Sequence, residues 1–206
     1  MSNLRERRRQ MLRDEILDAA RTLIAEKGYT TMSMDELAVQ AGISKPTLYS
    51  HFSTKDELVV ATAVREMEQV ITMIEARADG QTPLQRLITL LRTIIRHHID
   101  ENTLGLRPWM PDLLQLLCSR EEALECMRRI DVSITSLICE GMACGEIDPT
   151  LDPAIVTSAF SAQVNALKFA YLRDGDAFNS ATATDTLATI FERGVRGPTP
   201  RENSTS

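Results

Sequence analysis

An all-α fold is what this sequence predicts, and three observations carry it. Apolar residues recur at spacings of three and four along the chain, and no convincing alternating stretch appears. The composition is rich in Ala, Leu, Met, Glu and Arg and only 4% aromatic, which favours helices because unbranched side chains lose little rotamer freedom there. Gly, Pro, Ser and Thr fall between the periodic stretches, where helices start and stop. The expected architecture is three N-terminal helices, a long connecting helix and a helical bundle.

The first helix is expected from about Arg9 to Lys27, with Leu12, Ile16, Ala20, Leu23 and Ile24 on one face. Gly28 ends it, since glycine alone enters the left-handed region without a Cβ penalty. Ser33 and Glu36 have the spacing of a capping box and start a short second helix to Ala41, burying Leu37 and Ala38. Gly42 allows a sharp turn. Ser44 caps a third helix with Pro46 in its first turn, where no backbone donor is needed, and the helix ends near His51–Phe52. Ser53 or Thr54 caps a long fourth helix with the stripe Val60, Val64, Met67, Ile71, Ile74 and Ala78, ended by Gly80.

Thr82 and Pro83 open a fifth helix that turns Leu84, Leu87, Ile88, Leu91 and Ile95 inward. A loop at 100–105 follows, then a sixth helix from about Trp109 to Cys118. The seventh is expected over Glu121 to Ala143 with Leu124, Met127, Ile130, Ile134 and Leu137 inward, and Gly145 closes it. The eighth covers about Pro153 to Leu172 and the ninth about Thr184 to Val195. Domain segments are accordingly drawn at 1–57, with 1–8 a flexible basic arm, at 58–196, and at 197–206, a Pro/Ser/Thr-rich disordered tail.

The chain of 206 residues carries a net charge of −6, and the charge is unevenly spread. Residues 1–57 hold nine Lys/Arg and nine Asp/Glu, so the whole excess of acid falls on 58–206. The first thirteen residues hold five Arg against one Glu. A neutral head with a basic arm on an acidic body suits a local contact with nucleic acid rather than a uniformly basic coat. No stretch approaches the roughly 18 uncharged apolar residues of a membrane span, and no apolar region follows the basic start as in a signal peptide. A cytoplasmic, nucleoid-associated location is expected, with Cys118, Cys126, Cys139 and Cys144 as free thiols.

The most specific signal is Ser33 to Lys55, SMDELAVQAGISKPTLYSHFSTK. Two short helices joined by a tight turn at Gly42 make a helix-turn-helix, whose second helix fits the DNA major groove. Leu37, Ala38, Ile43, Leu48 and Phe52 supply its core, while Lys45, Thr47, Tyr49, Ser50 and His51 are left to face outward. The segment GISKPTLYSHFSTKDEL resembles the recognition signature of the TetR family of transcriptional regulators, including Tyr–x–His–Phe and the Lys that opens the next helix. The resemblance covers roughly residues 10–60. It implies that Lys45, Pro46, Thr47 and Tyr49 approach bases or their flanking phosphates, that His51 and Lys55 contact phosphate, and that Ser33 and Ser44 offer hydroxyls and amides to the backbone. Ser50 replaces a bulkier residue often found there, and Met32 a small polar one.

The same resemblance implies a ligand-responsive repressor that binds a palindromic operator in double-stranded DNA as a homodimer, with a small, mostly apolar effector releasing DNA. An activator, or a DNA-binding factor of this fold without small-molecule sensing, is the alternative. The expected dimer seam joins Ile155, Ala159, Ala162, Ala166 and Phe169 to Leu187, Ile190 and Phe191. The expected effector pocket is lined by Met67, Ile71, His98, Trp109, Met110, Leu113, Leu117, Met127, Phe160 and Asn165. A list of this kind also describes an ordinary helical core. His97 and Glu101 have metal-ligand spacing without a third ligand nearby, so no metal and no cofactor are expected. No nucleophile elbow, P-loop, dinucleotide fingerprint or HExxH motif is present, so no enzyme is expected.

Overall fold

The computed structural model describes residues 2–76, 80–100, 111–174 and 180–197. Among them are nine helices: α1 Ser2–Lys27, α2 Met34–Gln40, α3 Lys45–His51, α4 Lys55–Glu75, α5 Pro83–Asp100, α6 Pro111–Cys118, α7 Glu121–Ala143, α8 Pro153–Asp174 and α9 Ser180–Val195. Their only extended pairing is a single antiparallel bridge between Ile147 and Arg196. The all-α architecture therefore follows the periodicity of the sequence. No helix among the described residues is long and apolar enough to cross a membrane.

Helix starts are fixed by side chains that take up the orphan amides of a first turn. Ser33 Oγ accepts from Glu36 N–H at 3.2 Å and Glu36 Oε2 accepts from Ser33 N–H at 3.2 Å, the reciprocal box expected for α2. Thr54 Oγ1 accepts from Glu57 N–H at 3.1 Å, so Thr54 caps α4, while Ser53 N–H donates to Glu57 Oε2 at 2.9 Å. Thr82 and Gln85 repeat the arrangement for α5. Asp152 Oδ1 accepts from Ala154 N–H at 2.8 Å ahead of α8, with Pro153 in the first turn. Gly28, at φ 79°, closes α1 by donating its N–H to Ile24 O at 2.8 Å.

Several boundaries move. α1 begins at Ser2, so residues 2–8, expected as a flexible arm, are helical. α9 begins at Ser180 rather than near Thr184. The α7 stripe is also redrawn at its start. Leu124 is 37% exposed, and Ala123 and Cys126 take the inward positions. Small side chains suffice there because Leu113 and Leu117 of α6 fill the same core.

The helices fall into two compact units, Met1–Ile71 with His97–Arg128, and Thr72–Arg96 with Arg129–Ser206. The core of the first joins Ile16, Leu23 and Ile24 of α1, Leu37 of α2, Leu48 of α3 and the following Phe52, Leu58 and Val59 of α4, and Leu113 and Leu117 of α6. Burying each such side chain contributes about 1.5–3 kcal/mol. In the second unit Phe160 of α8 meets Phe191 of α9 edge to face, centroids 5.4 Å apart. Leu84, Leu87, Leu91, Ile134, Leu137 and Ile138 are buried in that unit as well.

Candidate nucleic-acid interface

The helix-turn-helix is assembled by α2, α3 and the turn between them. Ala41 N–H donates to Leu37 O and Ile43 N–H to Ala38 O, and Gly42 sits between them at φ 66°, where a side chain would be strained. Ser44 Oγ caps α3, accepting from Thr47 N–H at 3.3 Å and lying 2.7 Å from Thr47 Oγ1. Leu48 and Phe52 are fully buried and fix the inner face of α3. Its other face is then forced outward. Lys45, Pro46, Tyr49 and Ser50 are exposed, Tyr49 by 48%, and Thr47 and His51 are half-buried.

The outward residues are held without being spent. Lys45 Nζ pairs with Asp35 Oδ2 of α2 at 2.6 Å, and both side chains are exposed. Such a pair is worth about 0–1 kcal/mol in water, so a phosphate can take the place of Asp35 at small cost. Ser50 Oγ donates to Thr47 O at 2.7 Å. Burial and the neighbouring guanidinium groups of Arg9 and Arg13 push the His51 imidazole below its ordinary value, which disfavours its charged form.

Arg13 and Tyr29, which the motif did not point to, shape this surface together with Lys55. Arg13 of α1 lies over the Phe52 ring at 4.2 Å and donates to His51 O at 3.3 Å, which ties α1 to the end of α3. Tyr29 Oη donates to Asp56 Oδ1 at 2.7 Å, and that hydrogen bond pushes the phenol up to about 12. Lys55 Nζ donates to Thr30 O at 3.0 Å and stands 4.9 Å from the Tyr29 ring centroid. Burial lowers its ammonium from the usual lysine range. Lys55, expected as a phosphate contact, is thus also a clamp between the α1–α2 link and the start of α4. Its ammonium keeps donors beyond the one that Thr30 uses.

Behind the head, α1, α4 and α5 enclose a buried ionic cluster that hydrophobic spacing did not reveal. Arg65 of α4 donates to Asp14 O at 3.1 Å and to Asp18 Oδ1 at 2.8 Å. Glu66 is 5% exposed and lies 3.5 Å from His97 Nε2 and 4.0 Å from both Arg21 and Arg65. Neither of its oxygens accepts a hydrogen bond from the described residues. Burial raises its carboxyl above the ordinary range, and the neighbouring Arg21 and Arg65 only partly offset this. His97 therefore faces a carboxylate from another helix. No group of three or more metal-ligating side chains occurs among the described residues.

The expected pocket residues fall in both units. Leu113 and Leu117 are buried in the first unit's core, with Met67 and Met127 packed against it. Ile71 is buried, and the ring of His98 lies 5.9 Å from that of His97. Phe160 packs on Phe191 in the second unit. Trp109 and Met110 lie outside the described residues, and so does the side chain of Asn165. A groove of about 230 Å³ exists in the second unit, but other residues line it: Met73 and Ile74 of α4, Gln81, Arg86 and Leu90 of α5, and Leu137 of α7 among them. Of the expected dimer seam, Ile155, Ala159, Ala162, Ala166 and Ile190 are exposed and Leu187 is half-buried. Phe191 is turned into its own chain's core, and the Phe169 side chain lies outside those described.

Residues 16–62 match the family model of bacterial regulatory proteins, tetR family. The HTH-type transcriptional activator FasR of Mycolicibacterium smegmatis is 33% identical over 89 residues, 41% of each chain. The chain thus spans about two fifths of the length of that relative. The fatty acid metabolism regulator protein of Bacillus subtilis is 20% identical over 185 residues, 88% of this chain and 94% of the relative. Among solved structures, the transcriptional regulator FadR of Bacillus subtilis, in complex with stearoyl-CoA, superposes with a TM-score of 0.71 at 21% identity, covering 88% of this chain and 98% of that one. The helix-turn-helix segment is thus similar to that of the TetR family, and the fold of the chain is that of the solved transcriptional regulators.

Proposed function

We propose that this protein is a transcriptional regulator that reads duplex DNA with α3 as a homodimer and yields the DNA when a small, mostly apolar effector binds. One observation carries the DNA reading: Lys45, Thr47, Tyr49 and Ser50 project from a short helix whose opposite face is locked by fully buried Leu48 and Phe52. Side chains that carry hydrogen-bonding groups on a rigid helix are what major-groove readout requires. The test is selection of duplexes from a random pool by the purified protein, followed by titration of the selected sequence. Tyr49→Ala is expected to weaken that sequence by about 1–3 kcal/mol if it touches a base, with little change on unrelated DNA. Equal affinity of wild type and variant for every duplex would refute α3 as the reading element.

Two supports favour an effector with an apolar chain. The solved FadR relative holds stearoyl-CoA, and the 230 Å³ groove offers Met73, Ile74, Leu90 and Leu137 beside Arg86 and Gln81. The groove is smaller than the roughly 300–1,000 Å³ of most ligand pockets, so as it stands it suits a short chain. The effector switches the protein only if it prefers the DNA-free conformation. Thermal shift across acyl-CoA esters of graded length, followed by release of the selected duplex, tests this directly. Repression is the primary reading. Similarity to the activator FasR supports activation as the second. A reporter fused to the selected site separates them.

A further inference from the structure

We infer that the first three turns of α1 are a second DNA-contacting element, an arginine rail that engages backbone phosphates outside the groove read by α3. The inference rests on the DNA-binding reading above and adds a site to it. Residues 2–13 are helical and carry Arg5, Arg7, Arg8, Arg9 and Arg13 against a single Glu6. Arg5, Arg9 and Arg13 recur every four residues and so share one helix face. Arg13 fixes where that face points, because its guanidinium is held over the Phe52 ring and bonded to His51 O at the end of α3. The rail therefore starts at the candidate reading helix. From Arg13 to Arg5 it extends about 12 Å at 1.5 Å per residue, about the width of a major groove.

Several of the described cations elsewhere in the chain are engaged by carboxylates. Lys27, Lys45, Arg65, Arg92 and Arg129 each pair with a carboxylate. Arg5, Arg7, Arg8 and Arg9 are exposed, and none has an ion-pair partner among the described residues. The chain as a whole has 29 acidic residues against 23 Lys and Arg, so carboxylates are plentiful elsewhere. A helix that gathers bare guanidinium groups costs self-repulsion unless an external polyanion neutralises it. Their field reaches the end of α3, where Arg9 and Arg13 help to depress the His51 imidazole. Duplex DNA, with one charge per about 1.7 Å of axis, is the polyanion that the adjoining helix-turn-helix already addresses.

The experiment compares wild type, R5Q/R9Q and R5K/R9K on two labelled probes, the duplex selected by the protein and a mixed-sequence duplex of equal length. Gln keeps helix propensity and removes charge, while Lys keeps both. For R5Q/R9Q, the slope of log affinity against log salt is expected to fall by about two on both probes, with base preference unchanged. R5K/R9K is expected to keep the wild-type slope. An unchanged slope in R5Q/R9Q overturns the rail, and so does an equal loss in both double variants, which would mean the arginines act through the folding of α1. If the rail fails while Tyr49→Ala still alters base preference, the DNA-binding reading stands alone. If wild type binds neither probe, both fall.

Discussion

Glu66 is the residue whose chemistry departs furthest from its sequence neighbourhood. A carboxylate among Val60, Val64 and Ile71 has the spacing of a solvated helix face, yet it is buried between α1, α4 and α5. Arg21, Arg65 and His97 lie 3.5–4.0 Å from it, and Asp18 shares the charge of Arg65. Because burial holds its carboxyl above the unfolded value, the folded state favours the protonated form. The stability this confers is full below the ordinary carboxylate range and is lost as pH rises through the raised folded value. Wild type should therefore lose more thermal stability between pH 5 and pH 8 than Glu66→Gln does. Differential scanning calorimetry at both pH values measures this, and parallel pH profiles would show that Glu66 ionises as it does in water. The cluster was not legible beforehand because burial of a charge is decided by which helices meet there, not by the periodicity of any one of them.

At the scale of elements, the local code was most readable where side chains bond to nearby backbone. Ser33 with Glu36, Ser44 with Pro46, and Gly28 and Gly42 all act as their types and spacings require. Ser33→Ala should cost about 1 kcal/mol in urea unfolding, and Ser33→Asp should recover most of it. No change in Ser33→Ala would mean that the head is held wholly by its core. The start of α1 was less readable. Residues 2–8 lack an apolar face, and repelling arginines suggested a loose arm, although Arg is itself a good helix former. The inward row of α7 was misjudged at Leu124 for a different reason. Leu is the larger side chain, but the core position shared with Leu113 and Leu117 of α6 falls to Ala123. The pocket expectation rests on an ambiguous pattern, since methionines and leucines that line a cavity and those that fill a core look alike in sequence.

At the scale of the whole molecule, a charge of −6 concentrated beyond residue 57 leaves the head as the part able to approach a polyanion. Dimerisation would double that head's contacts and set the spacing of two half-sites. Ile155, Ala159, Ala162, Ala166 and Ile190 give α8 and α9 an exposed face of mostly short side chains, which allows close helix approach. Ala162→Arg should shift sedimentation from dimer to monomer at micromolar concentration and weaken binding to the selected duplex. A wild-type protein that sediments as a monomer would remove this seam. The segment between α7 and α8 is tied to the end of α9 by backbone hydrogen bonds. Asp148 N–H donates to Val195 O at 2.9 Å and Gly197 N–H to Glu146 O at 3.2 Å, around the Ile147–Arg196 bridge. Backbone hydrogen bonds of this kind do not depend on which side chains the helices carry. Evolution can therefore rewrite the exposed residues of α8 and α9, and with them the choice of partner, while the closed loop that presents them persists unchanged.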